Sequence, residues 1–266
     1  MNHTSGKPAG IFGIRNFDRW WIMVLAVVGI ILLLIFTKPD PYQRIFLFVR
    51  SGIWTTISIT WISFFLVMFF GLIVALGRLS KNNILRGIST VYVEVIRGIP
   101  MLVQLIFWYF AFPSLMQQIG EWLNLQALMD YRANAISMAI LGLTVGYSAY
   151  MSEVYRAGIQ SISKGQMEAA RSLGMTYFQA MRYVILPQAV RVILPPVGNE
   201  FITLLKDSSL VSVVAVADMT RRGREFMAAN FIPIQTWVMV ALLYLVMTLL
   251  AARLVTWMER KFRMEK

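Results

Sequence analysis

Apolar residues run along this chain in long charge-free blocks, not in the short alternations of water-facing elements. Residues 20–37, 51–77, 98–120, 133–152 and 226–252 contain no Asp, Glu, Lys or Arg. Each approaches or exceeds the run of about 20 residues that a helix needs to cross a hydrocarbon core. A sixth apolar stretch, 190–217, carries Glu200, Lys206 and Asp207. The pattern predicts an all-α integral membrane protein of about six transmembrane helices, with the third left near Pro113. The first block follows the basic residues Lys7, Arg15 and Arg19. It is too long for a signal-peptide core and has no small-residue cleavage pattern before Thr37-Lys38-Pro39, so it reads as a retained helix. Gly142 and Gly146 form a G-x-x-x-G in the fourth block, which is either a seat for a close helix neighbour or chance spacing.

Composition agrees with the pattern. The 266 residues are 58% hydrophobic and 14% charged, with a mean hydropathy of +0.64. A soluble domain is about 45–50% apolar and about 25% charged, so a chain like this one folded in water would expose aggregating patches. The net charge of +12 does not point to nucleic acid, because the basic residues flank apolar blocks and form no continuous face. They fit lipid headgroups instead. Most of the 25 Lys+Arg fall in 1–19, 78–92, 153–191 and 258–266, which places those segments and both termini in the cytoplasm. The cluster Arg221, Arg222, Arg224 lies on the other side and works against that assignment. With no Cys, disulfides, iron–sulfur clusters and thiolate zinc sites are excluded.

The segment 153–191 is far longer than a turn between two spans requires. Ser163 and Gln166 have capping-box spacing, predicting a helix that runs through Gln166, Glu168, Ala169 and Ala170 and ends at Gly174. Thr176 and Gln179 repeat the spacing and open a second helix, stopped by Pro187. The first helix is too short to be stable alone in water. It either inserts into a groove on a partner or lies on the membrane surface.

The string Glu168-Ala169-Ala170, with Gly174 four residues after Ala170 and then Val184-Ile185-Leu186-Pro187, resembles the EAA signature of the membrane subunits of bacterial ATP-binding-cassette importers. That signature reads E-A-A-x3-G-x9-I-x-L-P, and this chain departs from it with Val184 in place of Ile. Further pieces are similar to the polar amino-acid permeases of the histidine, glutamine, arginine and glutamate type. They are Tyr92 through Pro100, Leu102-Val103-Gln104, and the run Leu186-Pro187-Gln188 through Asn199-Glu200 to Lys206-Asp207-Ser208-Ser209-Leu210. The resemblance implies a permease domain over 51–262 with a coupling-helix segment at 163–187. It leaves a cytoplasmic segment 1–19 and an extra first helix 20–37 outside. It also implies docking to ATPase subunits, which hold ATP and Mg, through Gln166, Glu168, Ala169, Ala170, Gly174 and Pro187. A second permease subunit, identical or homologous, and an extracytoplasmic amino-acid-binding protein complete the implied assembly in a bacterial inner membrane.

Ionisable residues inside a span cost about 2.5–3.5 kcal/mol each on insertion scales and therefore face a partner, a cavity or a pathway. Asn199, Thr203 and Lys206 share one helical face, and Glu200, Thr203 and Asp207 the adjoining one. This stripe, with Ser208, either lines a route for a zwitterion or pairs with neighbouring helices. Pro195-Pro196 and Gly198 predict a break or kink near its start. Gln104 and Tyr109 are further candidates for the route. Arg97-Gly98-Ile99-Pro100 is expected to open the third span, with Arg97 snorkelling to phosphates and Pro100 in the first helical turn. Glu153 and Arg156 read as a helix-end pair. The chain has no P-loop, no H-E-x-x-H and no G-x-S-x-G, and its one His is His3, so neither a catalytic set nor a metal site is expected in it. The rival function is a nucleotide-independent secondary transporter or channel, which predicts paired broken helices in inverted repeats.

Overall fold

The computed structural model describes residues 19–262, all in helices and short connections; His3, Lys7 and Arg15 lie outside them. The helices are α1 (Arg19–Thr37), α2 (Pro39–Leu79), α3 (Asn83–Gly98), α4 (Met101–Leu123), α5 (Gln126–Met129), α6 (Ala135–Gln160), α7 (Lys164–Ser172), α8 (residues 177–207), α9 (Met219–Asn230) and α10 (Pro233–Phe262). Five of them, α1, α2, α4, α6 and α10, are long and apolar enough to cross a membrane. The expected sixth span is helical too, but its helix ends at Asp207 and tightens into 3-10 turns over Ser208–Val214 before a left-handed Ala215. Its ionisable residues keep it less apolar than the others. Residues 41–50, which precede the second apolar block, belong to the same helix as span 51–77. At 1.5 Å per residue α2 is about 60 Å long, so one end projects beyond the hydrocarbon.

Proline redirects these helices without ending them. The third span does not stop at Pro113, because a π-turn over Phe107–Ala111 precedes it and the Phe112 N–H bonds to the Phe107 carbonyl, five residues back. Pro187 is passed in the same way, by a π-turn over Met181–Ile185 closed by the Leu186 N–H on the Met181 carbonyl. Widening the turn shifts the hydrogen-bond register just where the pyrrolidine would clash and lack its donor. The second cytoplasmic helix is therefore not terminated at Pro187, and it continues as one rod to Asp207. Pro195 and Pro196 also sit inside that rod without interrupting it. Their fixed φ suits a helix, and the cost is confined to the carbonyls four residues back.

The centre of the bundle is α6, the most enclosed of the five apolar helices. It packs along α2 and against α3, α4 and α8, while α10 covers α8 and receives α1. Leu143, Tyr147 and Met151 of α6 share a core with Ile59, Val67, Leu105, Phe201 and Leu204. A second cluster joins Val24, Val27 and Ile31 of α1 to Met239, Leu243 and Leu249 of α10. The Trp20 indole N–H donates to the Leu249 carbonyl at 3.2 Å. The G-x-x-x-G seats α4: a Cβ on Gly142 would stand 2.9 Å from Leu105 and 3.2 Å from Trp108, and one on Gly146 would meet Met101 and Gln104. Small residues matter here because lipid supplies no hydrophobic drive between helices, and close van der Waals packing must substitute.

Gly142→Leu is expected to lower the thermal unfolding midpoint in detergent, through an overpacking cost of about 1–3 kcal/mol. Gly29→Leu, at a position with nothing within 4 Å, should leave the midpoint in place; equal shifts in the two variants would refute the seat.

Candidate functional site

The cytoplasmic hairpin and the polar stripe belong to one structure, because α8 carries both. At its lower end α7 is capped by Ser163 without a side-chain bond, so the expected Ser163–Gln166 capping box is not formed. The Gln166 N–H bonds instead to the Ser163 carbonyl at 3.0 Å. The Thr176–Gln179 box is complete, with bonds of 2.9 and 3.3 Å in opposite directions. Between the two helices the Gly174 N–H bonds to the Arg171 carbonyl and the Met175 N–H to the Ala170 carbonyl, the paired bonds of a Schellman turn. Gly174 has φ +84°, a region where an L side chain costs about 1–2 kcal/mol. Ala170 is turned in towards α8, whereas Gln166, Glu168 and Ala169 are exposed, and so is Pro187.

Higher on α8, Glu200, Thr203 and Asp207 line a cavity of about 280 Å³ with Met101 of α4 and Tyr147 and Tyr150 of α6. The Tyr147 hydroxyl donates to Asp207 at 2.6 Å, and the Thr203 hydroxyl to the Asn199 carbonyl at 3.0 Å. Two carboxylates, a hydroxyl and two phenol rings make an acceptor-rich, aromatic-walled chamber suited to an ammonium or guanidinium group. Met101, Tyr147 and Tyr150 are the residues that sequence reasoning missed. The spacing of Tyr147, Tyr150 and Glu153 at three-residue steps was the available signal.

The other candidates are dispersed. Lys206 is exposed and lines a separate cavity of about 480 Å³ with Ser209, Thr220, Trp237 and Tyr244. Asn199 is exposed, and Ser208 is buried with its hydroxyl on the Leu205 carbonyl at 2.8 Å. Tyr109 lies in the π-turn of α4 with its ring 4.7 Å from that of Phe110. Gln104 is buried, and its amide donates to the carbonyls of Ile96 and Ile99, both at 2.8 Å. It thereby staples the break between α3 and α4, where Pro100 is the capping residue and lies outside the first helical turn.

Arg97 is exposed at the end of α3, and part of its side chain is engaged within the bundle. It closes α3, lies with its guanidinium 5.2 Å from the Tyr150 ring centre, and approaches Glu153 to 3.7 Å. Glu153 also pairs with Arg156, at 2.6 and 3.0 Å, and with Arg78, so the expected helix-end pair is a cluster of three arginines on one carboxylate. In the basic cluster of α9, Arg221 at 2.9 Å and Arg222 at 3.1 Å hold the Glu225 carboxyl below its usual range. Arg224 donates to the Ser212 carbonyl at 2.7 Å. Burial pushes the Asp218 carboxyl up, against backbone N–H donors from Arg221 and Thr220.

Residues 67–264 match the family described as binding-protein-dependent transport system inner membrane component. The glutamine transport system permease protein GlnP of Escherichia coli strain K12 is 37% identical over 193 residues, 73% of this chain and 83% of that protein. The arginine transport system permease protein ArgU of Corynebacterium glutamicum is 34% identical over 256 residues, 91% of this chain and 79% of that protein. Among solved structures, an amino acid ABC transporter crystallised with histidines superposes with a TM-score of 0.73 at 37% identity, over 85% of this chain and 98% of that one. The inward-facing methionine transporter MetNI shares the fold, with a TM-score of 0.68 at 21% identity, covering 84% of this chain and 99% of that one.

Tyr147→Phe removes the hydroxyl that Asp207 accepts from while keeping the ring. It is expected to slow solute uptake by about tenfold, the worth of one charge-assisted hydrogen bond, with an unchanged yield of folded protein. Uptake equal to that of the parent chain would show the contact to be idle.

Proposed function

Since the chain belongs to the family of binding-protein-dependent transport system inner membrane components, we propose that it is the permease subunit of an ATP-driven importer of polar amino acids. One observation carries the reading: a single rod, residues 177–207, joins the exposed α7 hairpin to the cavity of Glu200, Thr203 and Asp207. At 1.5 Å per residue the rod is about 45 Å long. A push on α7 therefore reaches the cavity without crossing a flexible joint, since the bend at Gly174 is locked by two backbone bonds.

The hairpin has the surface of a docking element. Leu173 is 82% and Phe178 71% exposed, beside the charges of Glu168 and Arg171, and apolar patches rimmed by charge mark protein contacts. The partner is an ATPase subunit whose closure on ATP, held there with Mg, displaces α7 in the cytoplasm. The permease itself binds no nucleotide and performs no hydrolysis. Coupling requires that ATP binding favour one of two arrangements of the spans, cavity open inwards or outwards. Asn199 and Lys206, exposed on α8 and costly to leave against lipid, are covered by a second permease subunit, identical or homologous. An extracytoplasmic amino-acid-binding protein delivers solute on the opposite side, and both termini lie in the cytoplasm of a bacterial inner membrane. The relatives named for glutamine and arginine support polar amino acids as cargo. The acceptor-rich cavity fits the ammonium that all of them carry.

Gentle detergent extraction of the tagged protein, with mass spectrometry of the co-purifying chains, tests the assembly. An ABC ATPase is expected, and its yield should drop in the double variant Glu168→Ala, Gly174→Val. In proteoliposomes Gly174→Val alone should preserve ATP hydrolysis and lower uptake, because strain at the bend loosens the hairpin from the rod. Recovery of this chain without an ATPase, in a form that moves solute without ATP, would overturn the proposal in favour of a secondary transporter.

A further inference from the structure

Three arginines surround Glu153, but they do not share it equally. Arg78 and Arg156 hydrogen-bond to it directly, while the nearest nitrogen of Arg97 stands 3.7 Å away, beyond hydrogen-bond distance. The carboxylate is already satisfied by the first two, so the third charge is surplus to the cluster. What holds Arg97 is the face of Tyr150 at 5.2 Å, and Tyr150 is a wall of the cavity. A guanidinium stacked on a ring engages its face and keeps its in-plane N–H groups free to donate.

The position of Arg97 relative to the cavity is fixed by the backbone. Arg97 ends α3 and Met101, another wall, begins α4. The Gln104 amide ties the turn between them through the Ile96 and Ile99 carbonyls. Along α6, Tyr147, Tyr150 and Glu153 follow one face at three-residue steps, so Arg97 sits at the Tyr150 end while the Tyr147 hydroxyl on Asp207 marks the other. The chamber is thus polar in a directed sense, with two carboxylates along α8 and one guanidinium at its edge.

We propose that Arg97 is a specificity-determining residue that receives the carboxylate of the transported amino acid, opposite the Glu200 and Asp207 carboxylates that receive its ammonium. The assignment rests on the reading of this cavity as the solute site. Arginine suits the task because its planar fork meets a carboxylate with two parallel hydrogen bonds. The surplus of Arg97 at Glu153 means that a solute recruits it without breaking a satisfied pair.

The test uses the complete membrane complex in nanodiscs, without the soluble binding protein. Equilibrium binding is measured for two pairs of probes that differ by one carboxylate: L-arginine against agmatine, and L-glutamine against 4-aminobutanamide. In the parent complex the amino acid of at least one pair binds more tightly than its decarboxylated analogue. Arg97→Gln is expected to weaken that amino acid by at least about tenfold and to leave the analogue unchanged or tighter, erasing the preference. Arg97→Lys, which keeps the charge and loses the fork, should retain part of it. Arg156→Gln, which removes an equal charge from the same cluster, should leave the ratio unchanged. An equal loss for both members of a pair in Arg97→Gln, or no loss, would overturn the assignment and make Arg97 a structural counter-ion. If the parent complex binds none of the four probes, the cavity is not the solute site and the assignment falls with it.

Discussion

A backbone N–H or C=O left without a partner in hydrocarbon costs several kcal/mol, and this constraint shapes the protein at each point where its sequence would break a helix. Pro113 and Pro187 are each preceded by a π-turn that moves the hydrogen-bond register past the missing donor. At the interruption between α3 and α4, a buried glutamine side chain takes over, donating to two of the carbonyls that helix geometry leaves exposed. Gly174 bends the cytoplasmic hairpin, outside the hydrocarbon, and there two of the helix-end carbonyls are met by the Schellman pair.

The functional consequence is rigidity in a chosen place. Had Pro187 ended the second hairpin helix, the cytoplasmic segment and the polar stripe would be separate bodies joined by a loop. The π-turn makes them one helix, which carries both the Thr176–Gln179 capping box and the Glu200 and Asp207 carboxylates. The close seat of α4 on Gly142 and Gly146 keeps Met101 and the end of α3 in register with α6, which sets the wall of the cavity opposite α8.

Charge is distributed with similar economy. Several ionisable groups are gathered into contacts: Asp207 with Tyr147, and Glu153 with its arginines. On α9 the basic cluster is partly neutralised by Glu225 and the Ser212 carbonyl, so its formal charge overstates the field that it presents. Formal charges counted along a segment assume free side chains, and two of these three arginines are ion-paired.

Much of this was legible in the sequence. Apolar block length gave the spans, because bilayer thickness imposes one scale on every helix that crosses it. Gly174 announced the bend, Thr176 and Gln179 the second capping box, and the i, i+3, i+7 spacing put Glu200, Thr203 and Asp207 on one face, because these signals act within one or two turns of backbone. The continuity of helices through Pro113 and Pro187, the idle Ser163 side chain and the seat of Arg97 on Tyr150 were decided only by the tertiary structure. Each depends on what stands across a gap from the residue: proline is tolerated where the preceding turn can widen, and an arginine at a helix end settles on a tyrosine face where one stands beside it. The cavity itself takes walls from three helices far apart in the chain, and no local rule brings Met101, Tyr147 and Asp207 together.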